Sequence, residues 1–295
     1  MRYRTPEAFR AALEQRLKNE SATNSVAVMR LRKRVAFERF LARLSATDAT
    51  GWMLKGAFAL ELRLGLGTRT TKDIDLARAD DEEAATEHLN AAAAVDLGDF
   101  FSFEVRRTPA LDAAAGFHAV RYTARADLAG RRFEQFPVDV ALGEQSQGQP
   151  DLLSSPDLLA FAEIAAPELP VVPLEQHIAE KLHAYTGTYG ADGQGSTRVK
   201  DLVDLVVIGD LAELGADRLS HALETTFEQR ASQPLPDALP PPPRSWARPY
   251  VELAREAGVA PDLDAGHAAA ADLLNPILGQ EVEGRWDPRT RRWQG

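Results

Sequence analysis

The 295-residue chain contains no cysteine. That absence excludes disulfide staples and thiolate metal sites, and it fits a reducing, cytoplasmic setting. No apolar run approaches the roughly 20 residues a helix needs to span a bilayer, so no membrane partner is expected. The first residues lack a signal-peptide pattern. Net positive charge is missing too: the formal charge is −10, which argues against a general nucleic-acid coat protein. No repeat recurs at a solenoid period, and there is no Walker loop, zinc-ligand cluster or G-x-S-x-G elbow. What is present is an ordinary globular composition, long enough for one large domain or two smaller ones.

The charge is unevenly spread. Residues 1–43 hold eleven Lys or Arg against four Glu, so the remainder is strongly acidic. A basic lobe on an acidic body suits docking of a polyanion, although any single arginine there is equally a solvated helix face. Thr5-Pro6-Glu7 reads as an N-cap, a first-turn proline and an early acid, opening a helix to about Lys18. Asn24 or Ser25 would cap a second helix to about Leu44. Its apolar side carries Val28, Leu31, Val35, Phe37, Leu41 and Leu44; Arg30, Arg32, Lys33, Arg34, Arg39 and Arg43 form the basic set available for function.

The stretch Gly51–Asp75 organises the chain. It reads as a strand (Trp52–Leu54), a turn at Lys55-Gly56, a short helix (Ala57–Leu64), a Gly-rich loop, and a strand carrying Asp73-Ile74-Asp75. Side chains two apart on a strand share a face, so the two carboxylates project together while Ile74 enters a core. Paired acids need a positive group between them, and Mg2+, which takes oxygen ligands and leaves room for phosphate oxygens, is the usual one. A D-x-D alone is weak, and Asp73 after Lys72 also suits an ordinary turn. Gly56, at the mouth of a helix, would let a triphosphate approach backbone N–H groups.

Further on, 80–94 reads as a helix and Phe100–Arg107 as a strand. Ala119–Leu128 and Arg132–Leu142 make a hairpin through Ala129-Gly130-Arg131. Asp139 sits alone among apolar neighbours, either as a satisfied core acid or as a third ligand beside Asp73 and Asp75. Residues 143–173 read as a connector containing the lobe boundary. Leu174–Thr186 is an amphipathic helix with a stripe of Leu174, Ile178, Leu182 and Tyr185, and His177 and Lys181 on another face. Ser196 or Thr197 would cap a helix to Ile208, on which Asp201 and Asp204 share a face; answering that helix's dipole would explain them equally well. Residues 211–230, 246–257 and 265–278 read as helical, with a polyproline strap at Pro234–Pro243. The tail mixes Arg285, Arg289, Arg291 and Arg292 with Trp286 and Trp293, which suits either stacking on RNA or a frayed terminus.

Four blocks in order carry a resemblance. They are Lys55-Gly56 with Arg69-Thr70-Thr71-Lys72-Asp73-Ile74-Asp75; Val138-Asp139-Val140; Glu180-Lys181-Leu182-His183-Ala184; and Arg198-Val199-Lys200-Asp201-Leu202-Val203-Asp204-Leu205. With the strap running into Ser245-Trp246, the chain resembles the AbiEii/AbiGii-type nucleotidyltransferase toxins, the toxin half of type IV toxin–antitoxin systems. The resemblance implies an α+β fold: N-terminal helices (1–48), a nucleotidyltransferase core with a mixed sheet flanked by helices (49–150), and a mainly helical C-terminal lobe (151–295). It implies transfer of a nucleoside monophosphate from an NTP to an RNA acceptor, the tRNA 3′ end, with release of pyrophosphate and arrest of translation, and neutralisation by a cognate antitoxin. Asp73, Asp75 and Asp139 would hold Mg2+, or Mn2+ in its place. Lys181 would neutralise phosphate charge, and Asp201 would orient it or touch the nucleotide, supported by Arg198, Lys200 and Asp204. Lys55, Gly56, Ala57, Arg69, Thr70 and Thr71 would line the nucleotide. The family's glycine is usually followed by Gly or Ser and a small or hydroxylated residue; here it is Gly56-Ala57-Phe58, so no side-chain hydroxyl is present to grip a phosphate. Rival readings are nucleotidylation of a protein or small molecule, and an inactive nucleotide- or partner-binding module.

Overall fold

A computed structural model describes residues 1–65, 68–108, 119–143, 149–189, 194–195 and 198–295. Contacts divide the chain into two units. The first comprises 1–62, 71–146 and 150–171; the second comprises 63–70, 147–149 and 172–295. The expected core of 49–150 is thus joined by the N-terminal helices and by residues up to 171.

In the first unit, helix α1 (Pro6–Asn24) starts where expected, with the Thr5 hydroxyl accepting from the Ala8 N–H. It runs past Lys18 because nothing interrupts it until Ser25, which adopts a left-handed conformation. Asn24 and Ser25 therefore end α1 rather than cap α2 (Val28–Thr47), whose cap position, Ala27, has no side-chain hydrogen bond. Strand β1 (Met53–Lys55), helix α3 (Gly56–Leu64), β2 (Ile74–Arg78), α4 (Glu82–Ala94) and β3 (Phe101–Arg107) follow. The hairpin β4 (Ala119–Leu128) and β5 (Arg131–Leu142) turns through Ala129 and Gly130, both at positive φ, the backbone of a tight primed turn.

Within this unit two strands were not expected: β6 (Asp151–Ser154) and β7 (Glu168–Val171). They lie inside the segment read as a connector, and their pairing to the sheet is what brings 151–171 into the first unit. The sheet runs β3-β4-β5-β2-β1-β7-β6. The β2–β5 and β1–β7 pairs are parallel and the others antiparallel, so the sheet is mixed as expected. Burial alternates strictly along β4, and residues such as Val120, Tyr122, Val138 and Val140 meet Phe37 and Phe40 of α2 and Leu89 of α4 in one core.

The arginines of the basic set of α2 are spent inside this unit. Arg43 is fully buried and, with Arg39, pairs with Asp99; it also donates to the Phe101 carbonyl. Arg34 pairs with Glu38 and Glu61, and Arg30 with Glu61. Arg32 donates to the Phe133 carbonyl and lies 4.3 Å over that ring. An arginine closes helix to sheet through bidentate bonds while its stem packs, so a basic stripe need not face solvent.

The second unit holds α5 (Leu174–Thr186), the paired β8 (Thr188–Tyr189) and β9 (Gln194–Gly195), and α6 (Val199–Leu211). Then come β10 (Leu214–Gly215), α7 (Ala216–Arg230), α8 (Ala247–Glu256), α9 (Leu263–Leu278), β11 (Arg285–Asp287) and β12 (Arg292–Gln294). Arg198 occupies the cap position of α6, while Ser196 and Thr197, the expected caps, lie outside the described residues. The strap is anchored at its middle. Leu239 is buried, its N–H bonds to Asn275, and the Tyr185 hydroxyl donates to the Pro240 carbonyl at 2.6 Å. The tail is folded rather than frayed: β10, β11 and β12 form a sheet, Trp286 is buried and donates to the Gly209 carbonyl, and the partly buried Trp293 donates to the Leu273 carbonyl.

Candidate active site

The site residues fall into two sets, one in each unit. In the first, Lys55, Asp75, Asp139 and Arg121 stand directly opposite one another across four neighbouring strands. Lys55 pairs with Asp75 (β1–β2), Asp75 with Asp139 (β2–β5), and Asp139 with Arg121 (β5–β4). Directly opposed residues project from the same face. Their sequence neighbours Leu54, Ile74, Leu76, Val138, Val140, Val120 and Tyr122 are buried, so the charged row stands on the face turned away from the helical core. Neighbouring strands lie about 4.8 Å apart, which sets two carboxylates side by side in a field only a cation relieves.

Arg121 is that cation here, and the sequence reading missed it. Its guanidinium donates twice to Asp139, at 2.7 and 2.6 Å. Its pKa is raised by Asp139 first and then by the charges of Asp73 and Asp75, so all three acids act on one positive group. Counting back from the Ala129-Gly130 turn would pair Arg121 with Val138; a bulge in the register between Ala126 and Asp127 moves it opposite Asp139.

Asp73 lies just before β2, and the Thr71 hydroxyl donates to its carboxylate at 2.9 Å. Thr71 is buried, and its hydroxyl holds Asp73. Gly56 opens α3 at φ +68°, a left-handed angle, and a side-chain carbon built there would overlap the Asp75 carboxylate. Glycine is required at this position twice over, by backbone angle and by space. Ala57 is buried behind it.

The second set surrounds Lys181 on α5. Its ammonium donates to Asp204 at 2.6 Å and to Asp201 at 3.4 Å, both on α6. Arg69 donates twice to Asp204, at 2.9 and 3.0 Å, and Arg198 to Asp201 at 2.8 Å. Lys181, Asp201 and Asp204 are all buried. Burial alone would raise the Asp204 pKa, yet Lys181 and Arg69 hold its carboxyl below the usual range. Two cation partners, the buried Lys181 on α5 and the partly buried Arg69 in the 63–70 segment, rather than the dipole of α6, account for Asp204. The Thr70 N–H bonds to Glu256, and Lys200 is exposed.

Among the described residues no group of three or more His, Asp or Glu stands together as a metal cage. The donors nonetheless fit a hard divalent ion, because Mg2+ uses one or two carboxylates plus substrate oxygens rather than a protein cage. Asp75 and Asp139 supply those two, and the Arg121 guanidinium on the outer side of Asp139, drawn on by all three acids, stands in for a cation.

A mixed sheet with a glycine-opened helix and acids facing each other on parallel strands defines a nucleotidyltransferase fold. The chain belongs to the nucleotidyl transferase AbiEii toxin family of type IV toxin–antitoxin systems, whose model matches residues 39–281, and it is a nucleotidyltransferase. Among solved structures, the nucleotidyltransferase toxin MenT4 from Mycobacterium tuberculosis H37Rv is similar in fold (TM-score 0.60, 17% identity), covering 94% of this chain and 92% of that one. JHP933 from Helicobacter pylori matches less well (TM-score 0.45, 15% identity, 87% of this chain and 94% of that one). No curated protein matches. No helix among the described residues is long and apolar enough to cross a membrane.

Proposed function

We propose that this toxin transfers a nucleoside monophosphate from an NTP to the 3′ end of tRNA, with Mg2+ bound by Asp75, Asp139 and Asp73. The observation that carries the reading is the facing pair Asp75 and Asp139 beside the glycine that opens α3. A bound divalent ion there would supply charge neutralisation of the triphosphate and acidify the acceptor hydroxyl. Asp139 accepts the hydroxyl proton. The first N–H groups of α3, which have no partner within the helix, donate to phosphate oxygens in place of the missing hydroxyl. Thr71 fixes the direction of Asp73. In the second unit, Lys181 is assigned the phosphate charge that develops towards pyrophosphate, with Asp201 and Asp204 setting its direction. A cognate antitoxin, made separately, neutralises the activity.

One observation favours a different acceptor. The arginines of α2 and the tail tryptophans, part of what suggested a polyanion partner, are engaged inside their own units, and of the basic N-terminal set Arg2, Arg4, Arg16 and Lys18 stay exposed. That weakens the electrostatic footprint expected for RNA and leaves a protein or small hydroxylated acceptor as the second reading.

The test is incubation with Mg2+, total tRNA and each α-32P-labelled NTP in turn. Label on tRNA that disappears in Asp75→Asn supports the proposal and names the nucleotide. Label on protein or small molecules alone supports the second reading. Silence with every acceptor and every NTP overturns both.

A further inference from the structure

We infer that Arg121 is a resident competitor for the divalent cation: it holds Asp139 in the metal-free protein and must release it before Asp139 can act as a ligand. The inference rests on the proposed metal role of Asp75 and Asp139 and adds a residue that none of the four resembling blocks contains.

Three observations carry it. Arg121 and Asp139 are directly opposed on an antiparallel pair, so their contact follows from strand register rather than from a chance rotamer. The contact is bidentate, with both carboxylate oxygens of Asp139 engaged. Asp139 also faces Asp75 on its other side, so the oxygens the guanidinium covers belong to the acid a cation would share with Asp75. The guanidinium takes one lone pair on each oxygen and occupies the edge of the carboxylate between them, so a divalent ion chelated by both oxygens has to displace it.

The arrangement is reversible because the pair is not sealed. The Arg121 side chain is 52% exposed and Asp139 24%, in contrast to the buried arginine–aspartate pairs of the same unit. An exposed pair contributes little net free energy, so a ligand of higher charge can displace it. Released, the guanidinium keeps its charge and its fork of donors on the open face of the sheet, the geometry that takes up a phosphate. Metal loading and release of a phosphate-seeking arginine are thereby one event. In the metal-free protein the same pair relieves the repulsion that Asp75 and Asp139 would otherwise exert on each other.

The test is Mn2+ binding, followed by EPR of the free ion, in the full chain without nucleotide. Arg121→Gln should tighten Mn2+ binding about five- to tenfold, the scale of an exposed pair plus removal of a nearby like charge. Arg121→Lys, which keeps the charge without the fork, should fall between. Combining Arg121→Gln with Asp139→Asn should remove the gain, because no contested carboxylate remains. Unchanged or weaker binding in Arg121→Gln, with binding still lost in Asp75→Asn, overturns the competitor role and leaves the metal reading standing. No Mn2+ binding in any variant, with or without NTP, overturns the metal reading and this inference together.

Discussion

The two charged clusters solve opposite problems. On the first unit's sheet, three carboxylates act on one half-exposed arginine, and the acids stand where solvent and ligands reach. Around Lys181 the ratio is inverted: Lys181, Arg69 and Arg198 serve two carboxylates that are 2% and 3% exposed. A half-open row exchanges partners at low cost. A buried, fully paired cluster does not, since removing one member strands the others in low dielectric. The row is therefore built to accept a ligand, and the cluster is built to keep a lysine in one place. That contrast predicts which substitutions cost activity and which cost stability.

The largest effect should come from the row. Asp75→Asn should lower nucleotide transfer by about a thousandfold, the scale of removing a group that stabilises transition-state charge. Its urea midpoint should move little, because the substitution also removes a repulsion with Asp139. A Asp75→Asn protein that unfolds readily would mean the acids are structural after all. Asp204→Ala should do the reverse, costing about 3–5 kcal/mol of stability by leaving the buried Lys181 and the partly buried Arg69 without their shared carboxylate. Equal midpoints for wild type and Asp204→Ala would erase the distinction between the clusters. Gly56→Ala tests the seam between backbone and row. The left-handed angle alone costs about 1–2 kcal/mol, and the added carbon displaces Asp75, so transfer should fall by more than the stability loss explains.

What the sequence made legible follows the same contrast. The D-x-D strand, the glycine-opened helix and the β4–β5 hairpin announce themselves through period-two burial and turn residues, and they fall within a residue or two of expectation. The acids of the row were readable because a lone carboxylate among valines asks for a reason, as at Asp139. Arg121 escaped because an arginine on an alternating strand looks like any solvent-facing residue until its partner strand is in register. The arginines of α2 misled for the mirror reason: buried arginine, spaced as a stripe, reads as a surface. Strands β6 and β7 were hidden by their four-residue length and by prolines and serines around them, which resemble linker composition. The tail's fold depends on Trp286 finding the Gly209 carbonyl 77 residues away, a distance no local pattern encodes.

The smallest expected effect sharpens the comparison by pH, again with one group from each unit. Glu38, on α2, is buried so deeply that desolvation outweighs Arg34 and Arg39 and raises its pKa from 4.5 to about 7. The folded state then holds the proton more tightly than the unfolded state. The stability it contributes is complete below pH 4.5 and is lost as pH rises towards about 7. His183, on α5, runs the other way: burial first, then the charge of Arg230, depresses its pKa from 6.5 to about 4. Its contribution is complete above pH 6.5 and is lost as pH falls towards 4. Native-state hydrogen exchange separates the two, because α2 amides report the first group and α5 amides the second. From pH 5 to 7 protection should fall in α2 and rise in α5. Glu38→Gln should flatten the α2 trend alone, and His183→Gln the α5 trend alone. If either substitution flattens both trends, the two groups titrate through one shared unfolding event, and the local reading of each cluster has to be abandoned.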